Sequence, residues 1–492
     1  MTSPFNAAHY EAALKGLEIN VVSFSMGLEQ RDFRIDSEYF VEIGLENPAI
    51  VWTSIRDCLL ETQYGVSIEM NEEGIGIPIY RMKELHNMLT DLETRKYAIV
   101  SKQEQSEFLL KDKDVLFNRT NSFAFVGRTA MHRITDDTPK IFASYLVRLI
   151  PNISKLLPEY LVAFLNTDRG IADIKRRARI SINQANVNPE ELKDIRIPLL
   201  SLDFQQRIVG LFENAHKYRV VAEAHLQSAR EKVESALRLS DWVPPMPLSY
   251  VRSMSEITNA QRMDAEHFQQ IYSDVKLALK LSGATHFEEL GSMLVTITNG
   301  QTPLRHDLSE GEISFLCAEH ISDFVVDLES EKRVTQEQHQ GQLSKTMLQD
   351  GDMLLTIKGR VGNFGLVQNL FKHANINQDV ALLRLNDSID PWYLMAIMNS
   401  RFGKLLVQQY STGQINPFLG LGNVVRVPVA RFAERTEVEI AAKVKQEITS
   451  AQVFSERALN LLDIAKRSVE IAIEKSEASA LSYIKESTSD KY

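Results

Sequence analysis

The chain has 492 residues, 44% of them hydrophobic and 24% charged, which is enough for about two to four globular domains. No apolar run approaches the ~20 residues of a membrane span, and Met1 to Asn20 is too polar for a signal peptide. Cys58 and Cys317 are the only cysteines, which excludes a disulfide framework and favours a reducing, cytoplasmic setting, while a net charge of −10 argues against a free-standing non-specific DNA binder but leaves local basic patches open.

Read in chain order, the sequence repeats itself at a shift of about 230 residues. Arg34-Ile35-Asp36-Ser37-Glu38-Tyr39-Phe40 returns as Arg262-Met263-Asp264-Ala265-Glu266-His267-Phe268. Gly65 is answered by Gly300, Asp114-Val115-Leu116-Phe117 by Asp352-Met353-Leu354-Leu355, and Val126-Gly127 by Val361-Gly362. Pro158 to Asn166 returns as Pro391 to Asn399, and Gln184, Asn186, Arg196 and Pro198 match Gln414, Asn416, Arg426 and Pro428. Matches in one order at a nearly fixed shift point to duplication, hence two domains of one fold. Met353 to Ile357, Leu366 to Gln368 and Asp379 to Leu385 read as strands, with a turn over Gly359 to Asn363. Pro391 opens a helix to about Val407. The texture is α+β rather than a βαβ series.

A long helix closes each copy. From about Asp203 to Leu239 apolar residues recur in steps of three and four, from Ile208 and Phe212 to Val233 and Ala236, until Pro244-Pro245 follows. From about Glu434 to Ser482 the same stepping runs from Val444 and Ile448 to Val469 and Ala472. Each would be about 50 Å long or more. A narrow apolar stripe needs a partner, and an antiparallel coiled coil of the two helices, related by a pseudo-two-fold axis, supplies it.

Motifs for catalysis are missing. Gly403-Lys404 lacks the spacing of a phosphate-cradling loop, Gly359, Gly362 and Gly365 lack that of a dinucleotide turn, and Asn416-Pro417-Phe418 falls short of the Asn/Asp-Pro-Pro-Tyr/Phe loop of amino-methyltransferases. The eleven histidines show no zinc spacing. The expectation is a non-enzyme with no catalytic or metal-binding residues.

Two stretches suit nucleic acid. In the first, Lys175, Arg176, Arg177 and Arg179 lead into Gln184 and Asn186, joining phosphate neutralisation to amides that can read bases. Its counterpart, Ser411, Thr412, Gln414 and Asn416, keeps the amides without the arginines. The second stretch is Asn118, Arg119 and Asn121 through Arg128, matched by Lys358 and Arg360. Polar and basic residues at such a hairpin tip can reach a groove. Asn377, in the amide-rich run Asn375 to Asp379, joins this candidate set.

Gly351 to Gly359 with Val361-Gly362, the Asn375-to-Asp379 run, the Pro391-to-Asn399 block, Ser411 to Gln414 and the opening Phe33 to Phe40 together resemble the specificity subunits of Type I restriction-modification systems. The first copy departs from that pattern, with Asn118-Arg119-Thr120 where Thr-Ile-Lys-Gly is usual. The resemblance implies target recognition domains at 1–200 (with an N-terminal segment) and 243–430, a first spacer helix at 201–242, and a second spacer helix with a C-terminal tail at 431–492. It implies a DNA reader for phage defence in which each domain recognises half of a bipartite target and the helices set the spacer. Two methyltransferase subunits carrying S-adenosylmethionine would modify adenine N6, and restriction subunits using ATP and Mg would join them. This chain itself would need no cofactor. The alternatives are a methylation-only system and a protein scaffold with two peptide-binding domains.

Overall fold

The computed structural model describes residues 22, 24–28, 34, 36–41, 43, 44, 46–182, 184–245, 247, 249–303, 311–328, 330, 332–370, 372–413 and 416–489. The chain divides into two compact units, 1–220 with 456–492, and 221–455.

In the first unit the main sheet runs Leu59–Tyr64, Leu146–Pro151, Val115–Asn118, Thr129–Met131, then the short strands Leu89–Thr90 and Leu85–His86. Its first four strands are antiparallel. A smaller mixed sheet centres on Ile77–Tyr80, and Trp52–Ser54 pairs antiparallel with Arg196–Pro198. The second unit repeats this plan. Its main sheet is Leu294–Asn299, Val380–Leu385, Met353–Thr356 and Phe364–Leu366, all antiparallel. Its mixed sheet centres on Ile313–Leu316, and His286–Glu289 pairs with Pro428–Arg431. The fold is therefore α+β, with the non-local antiparallel pairs that a βαβ series lacks.

The repeated residues make repeated bonds. Arg148 Nη1 donates to Asp114 Oδ2 at 2.9 Å, and Arg384 Nε to Asp352 Oδ1 at 2.9 Å. The buried hydroxyls of Tyr160 and Tyr393 donate to Pro198 O and Ala430 O, tying each Pro-initiated helix to the strand that follows it in space. Asn166 and Asn399 donate from Nδ2 to Thr129 O and Phe364 O. A buried amide or phenol without such a partner would cost about 1–3 kcal/mol, so these positions hold the fold.

The helix from Pro391 ends at Asn399, not near Val407, and a second helix runs Arg401–Tyr410. Ser400 caps that second helix through Gly403 N at 3.2 Å, and a Cβ on Gly403 would collide with Ile397 O. The first unit repeats the joint, with Thr167 capping Asp168–Arg177 through Gly170 N, whose Cβ would meet Phe164 O. A hydroxyl three residues before a glycine thus turns the chain between two packed helices. That is what Gly403 does beside Lys404.

The long helices run Leu202–Ala236 and Glu434–Glu474, and the second stops short of the expected Ser482. Ser476 caps a further helix, Glu477–Ser489, through Ser479 N at 3.2 Å, which lets Ala480 enter the first unit's core. Within the first unit Ile208, Phe212 and Ala215 share that core with Ala458, Leu461, Ala465 and Val469. Ser201 meets Glu477 and Tyr218 meets Arg457, so the two segments run antiparallel. Within the second unit Ala229, Val233 and Leu237 pack with Ile440, Val444 and Ile448, again antiparallel, since His225 stacks on Phe454 while Lys232, further along, bonds Glu447.

The first unit buries a histidine that its fold keeps neutral. His132 is 2% exposed beside Tyr80 and Thr90, and burial pushes its pKa down to about 4. The unfolded chain takes up the proton first, near pH 6.5, so stability falls as pH drops from about 6.5 to 4. The expected loss across that window is about 3 kcal/mol. Urea midpoints of the full chain at pH 7 and 4.5 measure it, and H132Q should reduce the dependence while leaving the share of His216, whose pKa burial also lowers to about 4.

Candidate nucleic-acid interface

In the first unit the strands Val115–Asn118 and Thr129–Met131 are joined by a loop at one end of the main sheet. Asn118 closes that loop from within. It is fully buried, and its Nδ2 donates to Phe125 O at 3.1 Å. Gly127 donates back to Asn118 O at 2.8 Å with φ +93°, a conformation that a side chain resists. The second unit builds the same closure from Thr356, whose hydroxyl bonds Arg360 O, and Gly362 at φ +97°, which donates to Thr356 O.

After the helix Asp168–Arg177 the chain forms a hairpin, Arg179–Ser181 with Gln184–Asn186. This hairpin pairs with Thr120–Asn121, so Ala185 lies opposite Asn121 and Asn186 opposite Thr120. Asn186 Nδ2 donates to Thr120 Oγ1 at 2.7 Å, and Val187 N donates to Arg119 O. The two stretches singled out in the sequence thus meet in one small three-stranded sheet. Around it lies a basic and aromatic edge. The Arg119 guanidinium stacks 5.0 Å over half-exposed Tyr64, and Arg128 stacks 4.4 Å over Phe125. Lys175 stands 5.0 Å over Phe123 and donates to Ala124 O and Val126 O, fastening the loop to the helix. Gln184 and Arg179 face solvent, and Asn121 is partly exposed.

Burial divides the arginine string. Arg177 is 4% exposed, ion-paired with buried Asp173, and donates from Nε to Glu191 O at 3.0 Å. Burial lowers its pKa, against the pull of Tyr39 and Glu191. Arg176 pairs with the same Asp173 and donates to Tyr39 O. Arg179 reaches Glu191 at 2.7 Å yet stays 47% exposed. Arg34 completes this knot, donating to Arg177 O and Arg176 O at the helix C-terminus and to Asp36 at 2.9 Å. The hydrogen bond from Arg34 holds the Asp36 carboxyl below the usual range. Arg262 does the same in the second unit, with Asp264, Tyr410 O and Ser411 O. A guanidinium at the last carbonyls satisfies acceptors that the helix leaves open.

The second unit also joins its two stretches. Lys358 bridges to Phe418, Thr412 bridges to Phe418, and Leu419 N donates to Ile357 O at 2.8 Å. Lys358, Arg360, Thr412 and Asn416 are exposed, while Ser411 is half-buried with its hydroxyl on Val407 O. Asn377 is buried and braces its own turn through Asp379. Gln414 lies outside the described residues.

The sequence reading missed the aromatic partners Tyr64, Phe123 and Phe125. They are distant from the basic residues in the chain or sit one turn away, and only the folded loop stacks them. It also missed a cluster in the second unit. Cys317, Glu319 and His320 bring ligand atoms within 4.8 Å of one another. Lys332 Nζ occupies that neighbourhood, 3.3 Å from Cys317 Sγ and 3.0 Å from Glu319 Oε1, so the positive charge is already present. Burial pushes both the Cys317 and the Cys58 thiols up. Among the described residues no helix is long and apolar enough to cross a membrane.

Residues 67–224 match the family model described as the Type I restriction modification DNA specificity domain. The chain is 28% identical over 163 residues to the putative type I restriction enzyme MjaX specificity subunit of Methanocaldococcus jannaschii, covering 32% of this chain and 38% of that protein. It is 25% identical over 184 residues to the type I restriction enzyme EcoKI specificity subunit of Escherichia coli K12, covering 37% and 39%. The chain thus spans well under half the length of these curated relatives. Among solved structures, the S subunit of a Type-I restriction-modification system from M. genitalium aligns over 87% of this chain and 97% of its own at 12% identity and TM-score 0.37. The HsdS subunit of Thermoanaerobacter tengcongensis aligns over 88% and 98% at 13% identity and TM-score 0.29. Over these stretches the chain is similar to the Type I restriction modification DNA specificity domain and to the specificity subunits of Type I restriction enzymes.

Proposed function

We propose that this chain is the DNA-recognition subunit of a Type I restriction-modification complex, with each unit reading one half of a bipartite target. The observation that carries this reading is the repeated junction. In both units a loop closed by a buried polar side chain meets the strap that follows a helix, and the two together present cations and amides. Phosphate contacts from the cations would place each unit, and the amides and loop tips would specify bases. The long helices would set the unread spacer between the halves.

This chain supplies recognition and no catalysis. Two methyltransferase subunits would bind S-adenosylmethionine and modify adenine N6, and restriction subunits would use ATP and Mg. The net charge of −10 fits a reader whose partners supply much of the DNA clamp. The test is adenine-methylation mapping in cells that express the neighbouring methyltransferase with and without this chain. A bipartite motif that disappears with the chain supports the reading. An active methyltransferase with no motif in either sample overturns it. A motif without cleavage of unmodified DNA identifies a methylation-only system.

A further inference from the structure

The hairpin of the first unit carries an apolar apex. Its turn begins with Ile182, 92% exposed, and Ile180 on the preceding strand is 63% exposed. Phe123, two residues past the Asn121 that pairs with the hairpin, is 46% exposed. Lone exposed apolar residues are ordinary, but two β-branched ones on one ribbon tip need a surface to cover them. The neighbours restrict what that surface is. Arg179 begins the same strand, Lys175 and Arg128 hold the adjoining loop, and Gln184 leaves the turn with its amide in solvent. The partner is therefore anionic with apolar spots, and an amide can pair with it.

We propose that Ile182, supported by Ile180, reads thymine in the first unit's half-site through the C5-methyl group. This rests on the functional reading above and names the base chemistry of that same surface. A two-stranded ribbon fits the major groove, about 12 Å wide, and only there is the thymine methyl displayed. The same A·T pair presents adenine N6 and N7, which suit the Gln184 amide. The second unit has Tyr410 and Thr412 at the corresponding positions. Tyr410 packs on His267, and the Thr412 hydroxyl bonds Phe418 O. The isoleucine pair is thus peculiar to the first unit.

The test uses the full chain assembled with its methyltransferase partner and a duplex carrying the mapped motif. Each thymine is replaced in turn by deoxyuridine, which removes only the methyl. One or more replacements in the first unit's half-site should weaken binding about three- to fivefold, the loss of one buried methyl. The I182S variant should bind the thymine duplex that much more weakly and show no further loss with deoxyuridine. Its side chain is exposed, so the fold is kept, and I180S provides a second variant. Equal binding of all deoxyuridine duplexes overturns the proposal. So does a penalty that persists undiminished in both variants. A complex that binds neither duplex overturns the functional reading itself.

Discussion

Replacing Asp173 by alanine should lower the stability of the first unit by about 3 kcal/mol, the low end for removing one partner of a buried ion pair. Asp173 is 3% exposed and accepts from both Arg176 and Arg177. Without it the Arg177 guanidinium stays inside the domain, keeping its bond to Glu191 O but losing its counter-charge. That remaining bond is why the low end applies. Thermal melting of the full chain should show one transition moving down while the other holds its place. By contrast R179A removes a half-exposed side chain and should change stability by no more than about 0.5 kcal/mol. Its effect belongs to DNA binding, at one half-site. The two variants therefore separate what the clustered arginines do inside the unit from what they do at its surface. Replacing Arg176, Arg177 and Arg179 together would mix the two, since two of them answer mainly to Asp173.

The second large effect is a change of target. Exchanging residues 41–200 for the matching segment of another specificity subunit should replace one half of the methylated motif and leave the other half unchanged. Methylation mapping of cells carrying the exchanged chain gives the answer directly, and a motif altered in both halves would sink the idea that each unit reads alone. The donor must meet one packing condition. Tyr160, Leu161, Phe164 and Ile197 share a core with Phe204, Ile208 and Phe212 and with Leu461 and Val469. A donor that changes the volume of that face would fail by unfolding, at about 2–5 kcal/mol per large-to-small change.

Duplication was readable because its residues serve the interior. Arg34 and Arg262, Tyr160 and Tyr393, and Asn166 and Asn399 recur since each satisfies a backbone carbonyl that the fold leaves open. The junction of the two polar stretches could not be read, because Thr120 and Asn186 are far apart in sequence and only strand pairing joins them. Nor could the sequence sort inside from outside within one string. Arg177 and Arg179 are both basic and two residues apart, yet the end of the helix turns one inward and the other outward. Asn118 looked like a groove contact for the same reason, since a polar side chain at a hairpin start can face either way. Asn377 is a further case, spent on its own turn. The helix breaks at Ser400 and Ser476 were hidden because apolar spacing continues across a cap and only the cap bond reveals it.

The division of the chain also has a consequence for synthesis. The first unit is built from residues 1–220 and 456–492, while the second is the uninterrupted stretch 221–455. A ribosome therefore finishes every residue of the second unit before it delivers Leu461, Ala465, Val469 and Ala480, which the first unit's core requires. The part begun first is completed last. During that interval the faces of Phe204, Ile208 and Phe212 wait uncovered, and transiently exposed apolar surface of this kind invites aggregation and chaperone binding. Premature termination after residue 455 would leave the second unit with all its own residues and the first without its closing segment.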